Sequence, residues 1–222
     1  MRTRLLQNRL TKLRIAGYFF QAVPFIRAVI LNGSLATGQI KASSDIDLLI
    51  VASEGRIFTV RFLVNAFAWV SGQKRPKDER RSHAGKFCFN YFMSTSYLKI
   101  PVGRGDSIDR YCARCYSQSV LVWQRGDVFE RFWQDNYDLF VRYSTRGNNR
   151  FSKIFPVRTL WSMTRLSGLA EFIFGGRAGN CLEQYLKAFQ IRSIERDDRT
   201  RKYPSLIVYS DRELRFHPPK ED

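Results

Sequence analysis

Histidine is nearly absent from this chain, with two in 222 residues, His83 and His217. His83 lies in a basic stretch and His217 near the C-terminal end, and neither has a partner visible in the sequence. Histidine chemistry therefore receives no assignment. Acid is scarce as well: 20 Asp and Glu stand against 37 Lys and Arg, a formal net charge of +17. Such an excess favours anionic partners, whether nucleic acid, nucleotide phosphates or an acidic membrane surface. The plain alternative is charge that only keeps the chain soluble. Long apolar runs are missing too. The two most apolar stretches, "IFTVRFLVNAFAWVSG" (57–72) and "LWSMTRLSGLAEFIFGG" (160–176), are shorter than the roughly 20 residues of a membrane span, and each contains a charge. Both are expected to be buried helices, with no membrane span. The opening "MRTRLLQNRLTKLR" has no apolar stretch or small-residue cleavage site, so a cytoplasmic protein without signal peptide is expected. A chain with 44% hydrophobic residues has ample material for a core and does not need its four cysteines as disulfides. Repeats and low-complexity segments are also absent.

What is present begins with helical spacing over 4–23, which Pro24 ends. "FIRAVIL" (25–31) reads as a strand that Gly33 breaks, and "SLATGQI" as a short helix or turn. "DIDLLIVA" (45–52) is a strongly apolar strand, followed by Gly55 and an apolar helix over 56–71. A polar, basic loop spans 72–86. The aromatic "KFCFNYFMS" (86–94) then reads as another strand. Beyond residue 100 the spacing predicts helices over 106–124, 126–143, 156–174 and 178–197, then two short strands around a turn at Ser210-Asp211. The expected architecture is α+β: a core over 1–100 with a small mixed sheet flanked by helices, followed by a mainly helical region over 101–222 that ends in a strand pair.

The chemistry concentrates in "LNGSLATGQIKASSDIDLLIV" (31–51). Alternate side chains of a strand share a face, so Asp45 and Asp47 point together while Ile46 and Leu48 point to the core. Two carboxylates on one face repel unless a cation lies between them, and an oxygen-rich pair suits Mg²⁺ or Mn²⁺. Gly33 has no side chain to keep a phosphate from the backbone, and Ser34 opens a helical turn whose amides face an anion. The alternative is that Asp45 caps an element and Asp47 is a surface charge. The Gly-Ser pair at this spacing, between two apolar strands, favours a metal-bound nucleoside triphosphate.

These residues resemble the signature of the polymerase-beta-type nucleotidyltransferase superfamily: Gly-Ser, a spacer, then Asp-hydrophobic-Asp-hydrophobic. The likeness covers about residues 1–95. The stretches "GRIFTVRFL", "GKFCFNYFMS" and "LRFHP" are similar to prokaryotic nucleotidyltransferase-domain proteins. The resemblance implies transfer of a nucleoside monophosphate from a nucleoside triphosphate to a hydroxyl, with release of pyrophosphate. It implies that Asp45 and Asp47 hold metal and that Gly33 and Ser34 hold phosphate. It also implies a third carboxylate on a later strand. "KFCFNYFMS" has none, and Asn90 stands where it is expected. An amide oxygen can ligate metal weakly but cannot accept a proton as a base. Glu54, Asp78 and Glu79 are the acids left to substitute for it.

Arg56 and Arg61, at the start of the helix after the acidic strand, are candidates for triphosphate contact or for packing. Cys112-x-x-Cys115 invites a zinc reading that needs Cys88 and Cys181 or His83 as well, but neighbouring thiols on one helical face favour core packing. There are two basic sets, Lys74, Arg75, Lys77, Arg80, Arg81 and Lys86, then Arg142, Arg146, Arg150, Lys153 and Arg158, the second interleaved with Tyr143, Phe151 and Phe155. They fit RNA or another nucleic acid, or two solvated faces. Two further alternatives are a degenerate nucleotide- or RNA-binding protein and an antitoxin-like partner of another protein.

Overall fold

The computed structural model describes residues 2–76, 83–103, 105–143, 157–202, 204 and 207–216. Among them one six-stranded mixed sheet runs in the order β4-β1-β2-β3-β6-β5. Its members are β1 (Ile26–Asn32), β2 (Ile46–Ala52), β3 (Phe87–Ser94), β4 (Val120–Gln124), β5 (Val208–Tyr209) and β6 (Glu213–Arg215). β2 and β3 are parallel, and the other pairs are antiparallel. The parallel pair is joined by α3 (Ile57–Val70), the crossover helix that a parallel connection requires.

β1 and β2 are nearly continuous apolar runs because both of their faces are covered. On one face, Leu13, Ala16 and Phe20 of α1 (Arg2–Ala22) and Ile57, Phe58, Val60 and Val64 of α3 pack on Val29, Leu31, Ile46, Leu48 and Ile50. On the other, Ala28, Ile30, Leu49 and Val51 meet Cys112, Ala113 and Tyr116 of α4 (Asp106–Tyr116). Phe132 of α5 (Val128–Asp135) and Phe140 of α6 (Tyr137–Tyr143) complete that layer. No helix among the described residues is long and apolar enough to cross a membrane.

The sheet is shared across residue 100. β4 lies within the stretch 106–124 that was expected to be one helix; Ser117 ends α4, and Val120–Gln124 pairs with β1. The expected helix over 126–143 divides at Asn136, whose amide nitrogen donates to the carbonyls of Phe132 and Leu98 (2.7 and 2.8 Å). The C-terminal helices α7 (Trp161–Phe174) and α8 (Arg177–Glu195) pack on α1 and α3 respectively, and α9 (Asp198–Lys202) follows.

Two acids from these C-terminal helices hold the N-terminal elements. Glu183 of α8 is buried and accepts from the amides of Phe58 and Thr59, both at 2.9 Å, so its carboxylate caps the start of α3. Glu171 of α7 accepts from the Phe25 amide (2.7 Å) and from both Arg27 nitrogens (2.8 and 3.0 Å), with Arg125 at 3.2 Å. Phe25 has φ +66°, a conformation that costs a non-glycine residue energy and that the Glu171 bond helps hold.

Burial pushes the Glu171 carboxyl up. The Arg27 and Phe25 hydrogen bonds, with the Arg27 and Arg125 charges, outweigh that and hold it below the ordinary value. A depressed folded value means stabilisation that is complete above the unfolded pKa of about 4.3 and is lost as pH falls through the folded value. Glu171→Gln is therefore expected to cost about 2 kcal/mol at neutral pH. In urea unfolding at a series of pH values, the gap from wild type should close on the acid side of pH 4.3. A gap independent of pH would remove the ion pair as its cause.

Candidate active site

Three backbone pairings assemble the site. Asn32, the last residue of β1, stands opposite Asp47 of β2, and Asp47 stands opposite Cys88 of β3. Gly33 follows directly and starts α2 (Gly33–Ala36). It has φ +68°, and a Cβ there would sit 2.5 Å from Asp47 Oδ2. Glycine is thus required twice, for the left-handed backbone and for the space that the carboxylate fills. Ser34 is half-buried in the same turn, and its carbonyl accepts from the Thr37 hydroxyl at 3.2 Å.

Asp45 precedes β2, and its loop is fixed from two sides. Arg9 of α1 is buried and donates to the carbonyls of Lys41 (3.0 Å) and Ala42 (2.7 Å). The Gly85 amide donates to the Ser44 carbonyl, and the Ile46 amide to that of Lys86, both at 2.9 Å. Burial draws the Arg9 guanidinium below its ordinary value, and Asp45 works against that.

Asp45, Asp47 and Cys88 each present a ligand atom, and the three atoms lie within 4.8 Å of one another. A cationic side chain lies beside Asp45 in this cluster. Arg75 Nη1 donates to Asp45 Oδ2 at 2.7 Å and to Cys88 Sγ at 3.4 Å. Burial opposes the Arg75 charge, but Cys88, Asp45 and Asp47 outweigh it and raise its pKa. Burial and the two acids push the Cys88 thiol up to about 12, so it is protonated at neutral pH. Asn90 is buried, and its Nδ2 donates to Asp47 Oδ1 at 3.1 Å; its Oδ1 has no hydrogen-bond partner.

β3 departs from strict alternation at this residue. Strict period two groups Phe92 with Cys88 and Asn90. Instead the register shifts between the pairs Leu48–Phe89 and Leu49–Tyr91, leaving Asn90 in a bulge. Phe92 then joins Phe87 and Phe89 on the α1 side, and Tyr91 and Met93 turn to the α4 side.

The structure does not bring Arg56 and Arg61 to the acids. Both lie beyond the opposite end of β2, tied to α8. Arg56 donates to Asn180 Oδ1 (2.6 Å) and the Gly175 carbonyl (3.1 Å), and Arg61 donates to Gln190 Oε1 (2.6 Å). Burial lowers the Arg61 pKa to about 10. Glu54 is exposed in the same distant turn. Asp78, Glu79, Lys77, Arg80, Arg81, Arg146, Arg150, Phe151, Lys153, Phe155 and His217 lie outside the described residues. Cys112 packs into the core, and Cys115 pairs with Tyr111 on α4, where burial raises both groups and Asp47 adds to the effect. Among the described residues a cavity of about 330 Å³ lies between the 99–103 loop, α4 and α6, away from the acids.

Sequence reasoning did not bring Arg75 and Cys88 to the acids. Arg75 was read only as one of a basic set, because its partner lies 30 residues away. Cys88 had a signal, since it shares strand and parity with Asn90.

This is an α+β domain with paired carboxylates at one end of a mixed sheet, set against a glycine turn. Residues 14–90 match the family model described as the nucleotidyltransferase domain, which takes in Gly33, Ser34, Asp45, Asp47, Arg75, Cys88 and Asn90. The match is consistent with a member of the polymerase-beta-type nucleotidyltransferase superfamily. No curated protein and no solved structure matches the chain.

Arg75→Ala leaves the two carboxylates facing each other without their cation. In metal-free buffer it should lower stability by about 1–2 kcal/mol. Added Mg²⁺ should then raise Tm more than it does for wild type, because no guanidinium competes. Equal Mg²⁺ responses in a thermal-shift titration would show that Arg75 does not occupy the cation position.

Proposed function

We propose that the chain transfers a nucleoside monophosphate from a nucleoside triphosphate to a hydroxyl acceptor and releases pyrophosphate. The observation that carries this is the Asp47 carboxylate lodged against Gly33, with Asp45 beside it, inside the segment that matches the nucleotidyltransferase family. The donor set fits a divalent ion: two carboxylates, a third ligand-capable atom within 4.8 Å and an orphaned buried amide oxygen on Asn90. Mg²⁺ or Mn²⁺ held by Asp45 and Asp47 supplies charge neutralisation at the triphosphate.

The chain's own residues do the rest. Gly33 lets the phosphates approach the backbone, and Ser34 offers a hydroxyl in the same turn. Asn90 holds Asp47 in place through its amide nitrogen. The acceptor oxygen forms a bond to the α-phosphorus, the α–β bridging bond breaks, and pyrophosphate carries away the electron pair. The hydroxyl proton has no base on β3, since Asn90 cannot accept it and Cys88 already carries its own. It passes to water. A general base is typically worth about 10²–10⁴-fold in rate, so slow transfer is expected. The charge of +17 suits an anionic acceptor such as RNA.

A second reading rests on the same departure. With an amide at the expected base and Arg75 in the cation position, the site also suits a nucleotide- or RNA-binding protein that does no chemistry.

Transfer of label from an α-³²P triphosphate to a mixed RNA and small-hydroxyl pool, run beside equilibrium binding, separates the two. Asp45→Ala or Asp47→Ala should abolish metal-dependent nucleotide binding without unfolding the chain. Asn90→Asp should tighten Mg²⁺ binding and raise the transfer rate, within about 10²–10⁴-fold. Binding that survives both alanine variants removes the site from this function. Binding without transfer in wild type and Asn90→Asp favours the binder.

A further inference from the structure

Cys88 occupies the place opposite Asp47 in the parallel pairing, on the strand expected to carry a third carboxylate. Its Sγ and the oxygens of Asp45 and Asp47 form one triangle with no separation above 4.8 Å. Two observations mark this triangle as a place for a cation and not only for packing. The first is Arg75 Nη1, a cationic nitrogen 2.7 Å from Asp45 Oδ2 and 3.4 Å from Cys88 Sγ. A positive group therefore already bridges an oxygen corner and the sulfur corner. The second is Asn90, which is 8% exposed and bonded to Asp47 Oδ1, with its own Oδ1 buried and unpartnered. The side chain bonded to Asp47 thus carries a buried neutral oxygen without a donor.

The chemistry of the three corners is mixed. Mg²⁺ demands oxygen ligands and dehydrates reluctantly, whereas sulfur favours softer ions. We propose that Cys88 is the third protein ligand of this cation site and that its sulfur makes the site prefer a thiophilic divalent ion, such as Zn²⁺ or Co²⁺, over Mg²⁺. The proposal rests on Asp45 and Asp47 being cation ligands. On binding, the Sγ–H bond breaks, its proton leaves to water, and the sulfur pair forms the bond to the ion. Arg75 gives up its contacts with Asp45 and Cys88 as the ion takes its place. The metal preference of the domain then depends on one side chain of β3.

The test uses Cd²⁺ and Co²⁺ as probes, because sulfur bound to either gives a charge-transfer absorption that oxygen ligands do not. Cys181 is exposed, so the reference protein carries Cys181→Ser. The expected result is a charge-transfer band that saturates at one ion per chain. Adding Cys88→Ser or Cys88→Ala should abolish the band and weaken Cd²⁺ binding by about 10–100-fold, the scale of losing a metal-site partner. Cys88→Asp should reverse the preference toward Mg²⁺. Should the variants at 88 not fold, prolonged alkylation of the unmutated protein by iodoacetamide, mapped by mass spectrometry and read against the Cys88 modification reached in a metal-free control, serves instead. Bound Cd²⁺ should block modification of Cys88.

Mg²⁺-nucleotide binding that depends on Asp45, without a sulfur band and without protection of Cys88, overturns the proposal and leaves the acid pair standing. A band that persists without Cys88 overturns it as well, since the sulfur is then Cys112 or Cys115. Absence of any divalent binding, with or without nucleotide, overturns the acid-pair reading and this proposal with it.

Discussion

Asp47 is held between Asn32 on one side and Cys88 on the other by the pairing of β1, β2 and β3. Side chains alternate along a strand, so a slip of one residue would send Asp47 into the layer of Ile46 and Leu48. Both faces of β2 are dry beyond this end, with Ile46, Leu48 and Ile50 in one cluster and Leu49 and Val51 in the other. A displaced carboxylate would have no water and no partner there, at a cost of several kcal/mol. The register that buries the apolar residues is therefore the same register that presents the acid. Gly33, Asn32, Cys88 and Arg75 all take their positions from it.

Bringing two carboxylates to one strand end creates a like-charge problem, and the chain answers it locally. Arg75 reaches the acids from the loop after α3, while Arg9 fixes the backbone behind them through carbonyls. The two arginines do different work. Arg9 contacts backbone, so it shapes the loop whatever fills the site. Arg75 contacts the Asp45 and Cys88 side chains, the groups assigned to the proposed cation. Guanidinium suits the first task because its planar fork spans two carbonyls. In the second, on the proposed reading, it stands in for the ion, larger than it and anchored to one side.

The central strands were legible because residues buried on both faces leave long apolar runs, as in "AVIL" and "DLLIV", and because Gly33 and Pro24 interrupt them. The pairing of Asp45 with Asp47 on one face followed from the strand period alone. β4 was not legible: "VLVWQ" directly follows a helical pattern, and only Ser117 to Ser119 separates them. Period two also failed at Asn90, since a bulge depends on the neighbouring strand and leaves no mark in composition. Arg56 and Arg61 stand near the acids in the chain but at the other end of β2, a distance that a seven-residue strand imposes. Arg75 was hidden for the opposite reason, being remote in sequence and adjacent in space.

The family segment does not complete its own site. The cluster beneath β2 includes Val157, Leu186 and Leu214, all beyond residue 90. Glu171 and Glu183 then fasten β1 and α3 from the C-terminal helices. The tie that matters most for chemistry is shorter. The Phe216 amide donates to the Asn90 carbonyl at 2.9 Å, and Tyr91 pairs with Arg215 of β6 while its hydroxyl donates to Glu213 at 2.7 Å. β6 thus holds β3 from the bulge onward, and the bulge decides that Phe92 turns away from the face that Cys88 and Asn90 share. The strand that carries Cys88 and Asn90 is thus held by residues 213–216, which ties the C-terminal strand pair to the candidate site at the other end of the described chain.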